Sequence, residues 1–460
     1  MLVKFTVENF RSFGKRVEFS CLATAERAHR ERIFVGPQSG LRLLAVGAIY
    51  GANASGKSNL YRAVEFARKL VVSGTKLEAA IPVRPFRLDA QLQTAPSRFG
   101  FEVLLDGKVF AYRFAVTASA VAEESLNEVR PTGERLLFSR RESSGGEPEW
   151  NLESLRGLDL RAEELQFIEF VAKGTPKKQL FLREAHARNV KHFEGLWKWF
   201  RDGLWLIDPH STALGLEFEL EEQGLKDFST RVLRSTDVGI DRLGTEMVPF
   251  ESLDLPKELK ADLENDCKEG QGVLLRSSQG DRFSLRLENG ELKASKLVSY
   301  HRLEGSEGQV AFDIGDESDG TQRVVDLLPL FHRLANANRE FVVFVDELDR
   351  SLHSRLTRGL VEGYLGCRPA QSRSQLIFTT HDATLLDRDL LRKDEVWLID
   401  KNEKGESELS SLSEFKLRSD KRLMKDYLLG RFGGVPNLHP LPLRAAAAVS
   451  SSEQGEADNR

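Results

Sequence analysis

The stretch GANASGKS at residues 51–58 restricts the possible folds of this chain more than any other segment does. It fits the phosphate-binding pattern G-x-x-x-x-G-K-[ST] without a mismatch. An apolar, β-leaning run at residues 43–50 precedes it, and apolar residues recur at helical spacing over residues 60–70. The sequence therefore predicts a strand, a glycine-rich loop and a helix in that order, which is the context in which this pattern binds phosphate.

Each residue type in the loop has a physical role in binding a nucleoside triphosphate. Glycines let the backbone bend so that successive N–H groups face one anion, and the following helix adds its positive N-terminal end. Lys57 supplies a positive charge for the β- and γ-phosphates, and the Ser58 hydroxyl is placed for Mg²⁺. The alternative is a glycine-rich turn that matches the pattern by accident. The candidate nucleotide-binding residues of the loop are Gly51, Asn53, Ala54, Ser55, Gly56, Lys57, Ser58 and Asn59.

Composition sets the broad class of the protein. The 460 residues are enough for two or three domains, and 40% of them are hydrophobic and 30% charged, as in an ordinary globular protein. No apolar run approaches the ~18 residues of a membrane span, and residues 1–5 lack the layout of a signal peptide. Cys21, Cys267 and Cys367 are widely separated, so we expect free thiols in a reducing, cytoplasmic location. Because no segment reads as a membrane span, we expect no membrane partner. The net charge of −4 argues against a wholly basic nucleic-acid coat and leaves room for a local basic groove.

Two further chain segments read as buried strands that end in chemically active side chains. The apolar run at residues 341–345 is followed by Asp346 and Glu347, and the run at residues 375–380 is followed by His381. The carboxyl ends of strands are where α/β sheets place ligand chemistry. Asp346 would hold Mg²⁺, Glu347 would orient the attacking water, and His381 would donate to the γ-phosphate; with Lys57 these are the candidate catalytic and metal residues. The alternatives are a solvated strand end and a structural histidine.

The N-terminal residues predict a β-hairpin, with an alternating pattern at residues 2–8, a turn at Gly14 and a second strand at residues 17–19. Between them lie Asn9 and Arg11. They are either nucleotide-binding residues or simply part of edge strands that bury two phenylalanines.

These motifs, in this order, resemble those of the ABC-type ATPases of the RecF, SMC and OLD kind. Residues 9–12 look like the N-terminal strand motif of that group. Residues 51–58 match its Walker A motif, residues 341–347 match Walker B, and His381 matches the switch histidine. The resemblance implies an ATP-binding and ATP-hydrolysing α/β protein, with an ABC-type P-loop head built on a mixed sheet with flanking helices.

The same resemblance implies that two chains share each active site. Residues 318–322, SDGTQ, are similar to the ABC signature, except that Asp319 stands where Ser or Gly is usual, and Asp349 falls where the D-loop lies. In such a head-to-tail dimer Ser318, Gly320 and Thr321 of one chain would cap the nucleotide bound to the other. No Q-loop glutamine is evident, and Gln91 and Gln93 are the candidates.

The spacing of the motifs predicts how the chain is divided. Asp346 lies 289 positions after Lys57, which is far more than a compact ABC head needs. We therefore expect an N-terminal lobe at residues 1–120, a mainly helical insertion at residues 121–300, a C-terminal lobe at residues 301–438 and a disordered tail at residues 439–460.

A closer resemblance concerns the biological role. Residues 317–321, 379–382 and 427–436 together look like the OLD-like AAA/ABC ATPases of bacterial abortive-infection and anti-phage systems, the kind that includes AriA of PARIS and the ATPase partners of RloB-type proteins. This implies a sensor or regulator that acts with a separate nuclease or toxin encoded nearby. A RecF-like DNA-repair or DNA-binding ATPase is the alternative, with the basic runs at residues 135–141 and 416–425 as possible phosphate contacts. A third reading is an ATP-locked scaffold that hardly turns over.

Overall fold

The structure is a computed structural model, which describes part of the chain. The described residues are 1–435 except 38, 77, 144–147, 158–159, 212–215, 221, 268–271, 278, 336–339, 370 and 416–422. The expected disordered tail lies outside the described residues, and so does most of the basic run at residues 416–425.

Strands and helices are mixed along the described part of the chain, and each kind is numbered from the N-terminus. The strands are β1 (Leu2–Glu8), β2 (Val17–Ser20), β3 (Phe34–Val35), β4 (Arg42–Leu43), β5 (Val46–Gly51), β6 (Ser97–Leu105), β7 (Lys108–Val116), β8 (Val121–Arg130), β9 (Gly133–Glu142), β10 (Pro148–Asn151), β11 (Leu204–Ile207), β12 (Ile240–Val248), β13 (Gly272–Arg276), β14 (Arg282–Glu288), β15 (Glu291–Arg302), β16 (Gln309–Asp313), β17 (Val342–Val345), β18 (Gln375–Thr380), β19 (Val396–Lys401) and β20 (Ser407–Ser411). The helices are α1 (Lys57–Val72), α2 (Ala162–Lys173), α3 (Phe181–Ala187), α4 (Glu194–Lys198), α5 (Leu216–Glu219), α6 (Gln223–Ser235), α7 (Lys257–Asp266), α8 (Asp319–Ala335), α9 (Ser354–Cys367) and α10 (Leu423–Leu428).

The phosphate-loop strand lies inside a mostly parallel sheet. The strand order is β11-β17-β18-β5-β19-β20, and every pairing is parallel except that of β19 with β20. All residues of β5, β17 and β18 are buried, as expected for continuous apolar runs covered on both faces. Because these strands are parallel, their carboxyl ends meet at one edge, where the predicted site residues follow them.

The second sheet is antiparallel and has the order β10-β9-β8-β7-β6-β1-β2. The predicted N-terminal hairpin is confirmed by the pairing of β1 with β2. The turn at Asp106 and Gly107 joins β6 to β7, with φ angles of 47° and 79° that suit an Asp-Gly hairpin turn. Helix α1 packs between the two sheets, since its buried residues share one core with residues of β1, β6 and β17.

The middle of the chain differs from the mainly helical insertion that we expected. Residues 121–300 contain β8–β15 as well as α2–α7, so strands are as prominent as helices there. Three of these strands extend the antiparallel sheet, one joins the parallel sheet beside β17, and β12–β15 form a further sheet with β16. These strands are solvated on one face, and the charged side chains of that face obscured their alternation. The proposed division at residue 120 falls between two strands, β7 and β8, that pair along their length.

In the part of the chain that the structure describes, no helix has the length and apolar character needed to cross a bilayer. Cys21, Cys267 and Cys367 all lie in the described part of the chain and form no disulfide, as predicted; Cys21 and Cys267 are buried and Cys367 is exposed.

Candidate functional site

The phosphate loop has the predicted strand–loop–helix context, because β5 ends at Gly51 and α1 begins at Lys57. Two of its residues have a positive φ, Ala54 at 63° and Gly56 at 123°. A side chain at position 56 would also meet Ser407 and lie 3.0 Å from Ser12 Oγ, so this bend requires glycine. Asn53 and Ala54 are exposed at the tip of the loop, whereas Ser55 is buried.

The ammonium group of Lys57 is enclosed by the loop. It donates to the carbonyl oxygens of Gly51 at 2.6 Å and Ala52 at 3.0 Å, and lies 3.4 Å from His381 Nδ1. Burial lowers the pKa of Lys57 to about 8, although the nearby carboxylates act in the opposite direction. A buried cation resting on neutral carbonyls is well suited to an incoming phosphate. The buried Ser55 Oγ, which has no hydrogen-bond partner among the described residues, is a second polar atom in this cradle.

The two carboxylates after β17 are held by one hydroxyl group from the neighbouring strand. Thr379 Oγ1 donates to Asp346 Oδ1 at 2.6 Å and accepts from the backbone N–H of Glu347 at 2.7 Å. Asp346 is buried and Glu347 is half-buried with a φ of 51°, so the backbone turns sharply where the two side chains diverge. The buried carboxylate of Asp346 after β17 and the Ser58 hydroxyl at the start of α1 are both oxygen ligands of the kind that Mg²⁺ prefers.

His381 follows β18 at the same edge. Its backbone N–H donates to Asp349 Oδ2 at 3.1 Å, which ties the turn after Glu347 to the histidine. Burial and then the charge of Lys57 lower the pKa of His381, which favours a neutral imidazole at neutral pH. The structure therefore brings together the predicted residues Lys57, Asp346, Glu347 and His381.

Asn9 and Arg11 are placed differently from each other. The Asn9 side chain is buried and donates to the carbonyl oxygens of Leu92 and Ala95 while accepting from Phe86 N–H, so it holds a loop rather than facing the phosphate loop. Arg11, with a φ of 52°, lies beside Arg84, whose carbonyl oxygen accepts from its backbone N–H at 2.8 Å.

The residue of this N-terminal segment that touches the phosphate loop is one that the sequence did not single out. Ser12 Oγ accepts from Asn59 Nδ2 at 2.8 Å and from Ser407 Oγ at 2.8 Å. Asn59 is in the first turn of α1, so its side chain anchors the helix to the N-terminal segment.

The signature-like residues lie at the start of α8, where Ser318 Oγ accepts from Thr321 N–H at 3.2 Å. A Cβ at Gly320 would be 2.6 Å from the carbonyl oxygen of Ser351, so the helix begins in close contact with the turn after Walker B. Ser318, Gly320 and Thr321 line a cleft whose lining includes none of residues 51–58. Within one chain they are thus not part of the phosphate site.

Sequence reasoning missed the residues at the end of β11. This strand pairs in parallel with β17, and the N–H of Asp346 donates to the carbonyl oxygen of Ile207 at 2.9 Å. The next residues are Asp208 and His210, and His210 Nε2 lies 3.1 Å from Arg350 Nη1. The sequence pattern that predicts a buried strand with a polar end is present here, since residues 204–207 are an apolar run followed by polar residues. The candidates Gln91 and Gln93 instead lie exposed in the turn before β6.

A buried arginine on α8 is another residue that the sequence did not indicate. Arg323 is 5% exposed, and none of its guanidinium nitrogens has a hydrogen bond to a described residue. Burial lowers the pKa of Arg323, while the charges of Asp326, Asp208 and Glu347 raise it. Arg323 is thus a residue of the signature helix that feels the charges of Asp208 and Glu347 at the carboxylate edge.

The sequence was compared with models of known protein families, and one family matches. A family model, AAA_21, described as "AAA domain, putative AbiEii toxin, Type IV TA system", matches residues 47–387. The match covers about three quarters of the chain, from β5 to just beyond His381. The chain belongs to the AAA_21 family. An AAA_21 domain is a P-loop ATPase domain, so the family agrees with the α/β head and its phosphate loop.

Solved structures similar to this AAA_21 protein are heads of SMC proteins. The SMC head domain from Thermotoga maritima is 14% identical, with a TM-score of 0.35, over 90% of this chain and 99% of that one. The SMC head bound to the C-winged helix domain of ScpA is 13% identical, with a TM-score of 0.37, over 89% of this chain and 97% of that one. No curated protein matches the chain in sequence.

Proposed function

We propose that this AAA_21 protein binds ATP and hydrolyses it to ADP and phosphate, as the regulatory subunit of a bacterial anti-phage system. The observation that carries the hydrolysis is the convergence of four side chains at one sheet edge. Lys57 Nζ lies 3.4 Å from His381 Nδ1, and Thr379 holds the backbone and side chain of the two carboxylates after β17. A phosphate cradle, a metal ligand and a water-orienting carboxylate are the parts that phosphoryl transfer needs.

The residues of the site take separate roles in this proposal. The loop N–H groups and Lys57 bind the β- and γ-phosphates. Ser58 and Asp346 would hold Mg²⁺, which would supply positive charge to the phosphates. Glu347 accepts a hydrogen bond from the attacking water and orients it in line with the bond to the leaving ADP, and His381 donates to the γ-phosphate oxygens.

The site is completed by a second copy of the chain. Ser318, Gly320 and Thr321 lie at the N-terminal end of α8, away from their own phosphate loop. Hydroxyl and N–H groups at a helix N-terminus bind anions, so these residues suit the γ-phosphate on a partner in a head-to-tail dimer.

The proposed role in defence rests on the family description, which names a toxin of a type IV toxin–antitoxin system, and on the resemblance to anti-phage ATPases. In this role ATP turnover controls a separate nuclease or toxin encoded nearby.

The test of the role in defence is phage plating on cells that carry the gene with and without its neighbouring genes, using wild type and Glu347→Gln. Protection should need both an intact Glu347 and a neighbouring gene; protection by the single gene would contradict a separate effector.

The test of the enzymatic proposal uses two substitutions with opposite expectations. Glu347→Gln should keep ATP binding and lose hydrolysis, because the phosphate and metal ligands remain while water activation is lost. Lys57→Ala should weaken ATP binding itself. Binding is measured with a fluorescent ATP analogue, hydrolysis by phosphate release, and exposed Glu149→Gln on β10 is the matched control. Unchanged turnover in Glu347→Gln would remove this residue from its role.

DNA-stimulated turnover is the expectation of the RecF-like alternative. One basic run proposed for it is partly used internally, because Arg140 is buried and pairs with Glu124 at 3.1 Å. A different basic group favours this reading more, namely Arg11 with Arg62 and Arg84, because Arg11 bonds to the backbone of Arg84, and burial and then both neighbouring charges lower the pKa of Arg11. If DNA raises the ATPase rate and the effect falls steeply with salt, the alternative gains over a protein effector.

A further inference from the structure

A large apolar cleft begins at the signature-like residues, and the rest of its lining has no part in the proposed reaction. It lies among α6, α8 and α9 and has a volume of about 1250 Å³. Leu352, Leu356, Leu360 and Tyr364 line its apolar side, and Ser318 and Gly320 line the end nearest the carboxylate edge. A cavity of this size can receive several large side chains.

On one wall of the cleft, which we call the signature cleft, two glycines leave the backbone of α9 without covering side chains. Gly359 and Gly363 are one turn apart on α9 and face the cleft. A Cβ built at either position meets no atom within 4 Å among the described residues. The two glycines therefore leave room for another chain to approach the helix closely.

A second apolar surface lies on α10, the helix whose Tyr427 packs against Tyr50 just before the phosphate loop. Met424, Leu428 and Leu429 are 42%, 56% and 60% exposed, an unusual concentration of large apolar side chains around one short helix. We call these three residues the α10 patch.

The α10 patch is firmly positioned relative to the nucleotide site. The ring of Tyr427 packs edge-on against Tyr50 of β5 at 5.8 Å, and its hydroxyl donates to the carbonyl oxygen of Gly434 at 3.0 Å. Gly434 N–H in turn donates to Asp400 Oδ2 at the end of β19. Helix α10 also packs against the turn Ala383–Leu385 that follows His381.

We propose that the α10 patch of one copy docks in the signature cleft of a second copy. This rests on the proposed head-to-tail site, which sets Ser318 of one chain against Lys57 of the other. Helix α10 packs through Tyr427 against Tyr50, which precedes the phosphate loop, and the cleft lining includes Ser318. A head-to-tail arrangement therefore sets the helix that carries the α10 patch against the cleft of the partner, once on each side of the two-fold axis. The occupant is not α10 of the same chain in this structure, since the described cleft lining includes no residue of α10.

The charges of the two surfaces also agree. Residues 423–431 carry the bases Lys425 and Arg431 and the acid Asp426, which leaves one excess positive charge. The cleft lining carries the acids Asp237 and Glu317 and the base Arg355, which leaves one excess negative charge. A predominantly apolar contact with complementary charge at its rim is typical of a specific protein interface.

The docking is tested by the stability of the ATP-bound dimer in the Glu347→Gln protein. Leu428→Asp with Leu429→Asp should raise the dimer dissociation constant by at least roughly tenfold, because it places charge in an apolar contact. Gly363→Leu, which fills the cleft from a position with open space, should do the same from the other side. Met247→Asp on β12, where Met247 is 64% exposed, is the control and should leave the constant unchanged. The measurement is sedimentation velocity with ATP, with ATP affinity followed in parallel and expected to stay constant.

The outcomes separate this inference from the proposed function. A Glu347→Gln dimer that neither variant weakens would overturn the docking and leave the shared site standing. A Glu347→Gln protein that binds ATP and remains monomeric would overturn both.

A crosslink identifies the occupant directly. Cys367 is an exposed native thiol in the cleft lining, whereas Cys21 and Cys267 are buried. Leu429→Cys should therefore form a bismaleimide link to Cys367 that doubles the mass in the presence of ATP, and wild type should not. A link within one chain, detected by peptide mass spectrometry without a gain in mass, would overturn the inference because the cleft would then receive its own chain.

Discussion

Lys57 shows how a single residue can be prepared for its ligand by its surroundings. Its ammonium group has exchanged water for two carbonyl oxygens of its own loop, and burial lowers its pKa to about 8. An ATP phosphate would supply the missing negative charge and raise that pKa again. Binding and protonation of Lys57 are therefore linked.

The first prediction follows from this linkage. The binding form of Lys57 is the ammonium, so ATP affinity should be highest below pH 8 and fall as the pH rises through that value. From pH 7 to pH 9 the dissociation constant should rise by about tenfold, since the protonated fraction falls by that factor. Isothermal titration with ATP at several pH values measures it. Lys57→Arg, whose side chain stays charged, is the control with a flat profile, and a flat wild-type profile would contradict the prediction.

The second prediction concerns Thr379, whose one hydroxyl serves both carboxylate positions. Thr379→Val leaves Asp346 Oδ1 and the N–H of Glu347 without this partner in a buried place, so it should cost about 1–3 kcal/mol of unfolding free energy. Turnover should fall, while ATP binding to the loop should persist. Urea unfolding and phosphate release measure the two effects. Thr379→Ser retains the hydroxyl and should restore both; wild-type behaviour of the valine variant would show that the hydroxyl does not organise the site.

A functional residue could be predicted from the sequence when its neighbours in the chain form a recognisable pattern, and not when its role depends on partners that are distant in the chain. Lys57, Asp346, Glu347 and His381 could be assigned because each ends an apolar run or lies in a glycine-rich pattern. Thr379 reads as an ordinary strand residue, and Ser12 acquires its role only by meeting Asn59 and Ser407, which are distant in the chain. Asn9 has the polarity of a binding residue, but its amide is used by the backbone of residues 86–95.

At the scale of elements, the start of α8 is fixed by its contact with the turn after β17. The close approach of Gly320 to the Ser351 carbonyl leaves no room for a side chain. This contact joins the start of α8 to the turn that follows Asp346 and Glu347, and so connects the two halves of the proposed shared site.

The third prediction is a matched pair of glycine substitutions. Gly320→Ala should lower the unfolding free energy by about 1–3 kcal/mol and reduce turnover, because its Cβ would lie 2.6 Å from a backbone oxygen. Gly359→Ala in the middle of α9 meets no atom within 4 Å and should raise the free energy by about 0.5–1 kcal/mol. Urea unfolding measures both. Equal effects of the two substitutions would mean that the contact at Gly320 is not rigid.

Elements were predictable when both of their faces are buried. The runs that became β5, β17 and β18 are continuous and apolar, and the sequence predicts each of them as a strand. The strands of the middle region could not be recognised in the same way, because each has one solvated face. β8, for example, carries four charged residues among ten. These segments become strands because they pair with other strands of the sheet, and that pairing cannot be seen in the sequence of one segment.

At the scale of the whole molecule, the proposed site needs two chains, and mixing inactive variants tests this. Ser318→Arg and Lys57→Ala should each be inactive alone. A heterodimer has one site with both lesions and one intact site, so an equal mixture under subunit exchange should regain about a quarter of wild-type activity. The measurement is ATPase rate against mixing ratio.

A lack of recovery despite demonstrated exchange leaves two explanations, a site built within one chain or two sites that must act together. A crosslink between position 318 and residues 51–58 of the partner distinguishes them, since it forms only if the sites are shared. Mixing Lys57→Ala with Glu347→Gln is the control, because both lesions are in one half-site and neither heterodimer site is intact.

The place of β5 in its sheet has a consequence for how the protein is made. β5 lies between β18 and β19, which a ribosome synthesises more than 300 residues later. At roughly 5–20 residues per second, this strand waits on the order of tens of seconds for its neighbours, whereas β6–β9 can pair almost as soon as they emerge. The phosphate loop is thus translated early and assembled late. During that interval its apolar strand is a natural target for chaperones, and a nascent chain shorter than about 380 residues cannot yet hold a nucleotide in the way described above.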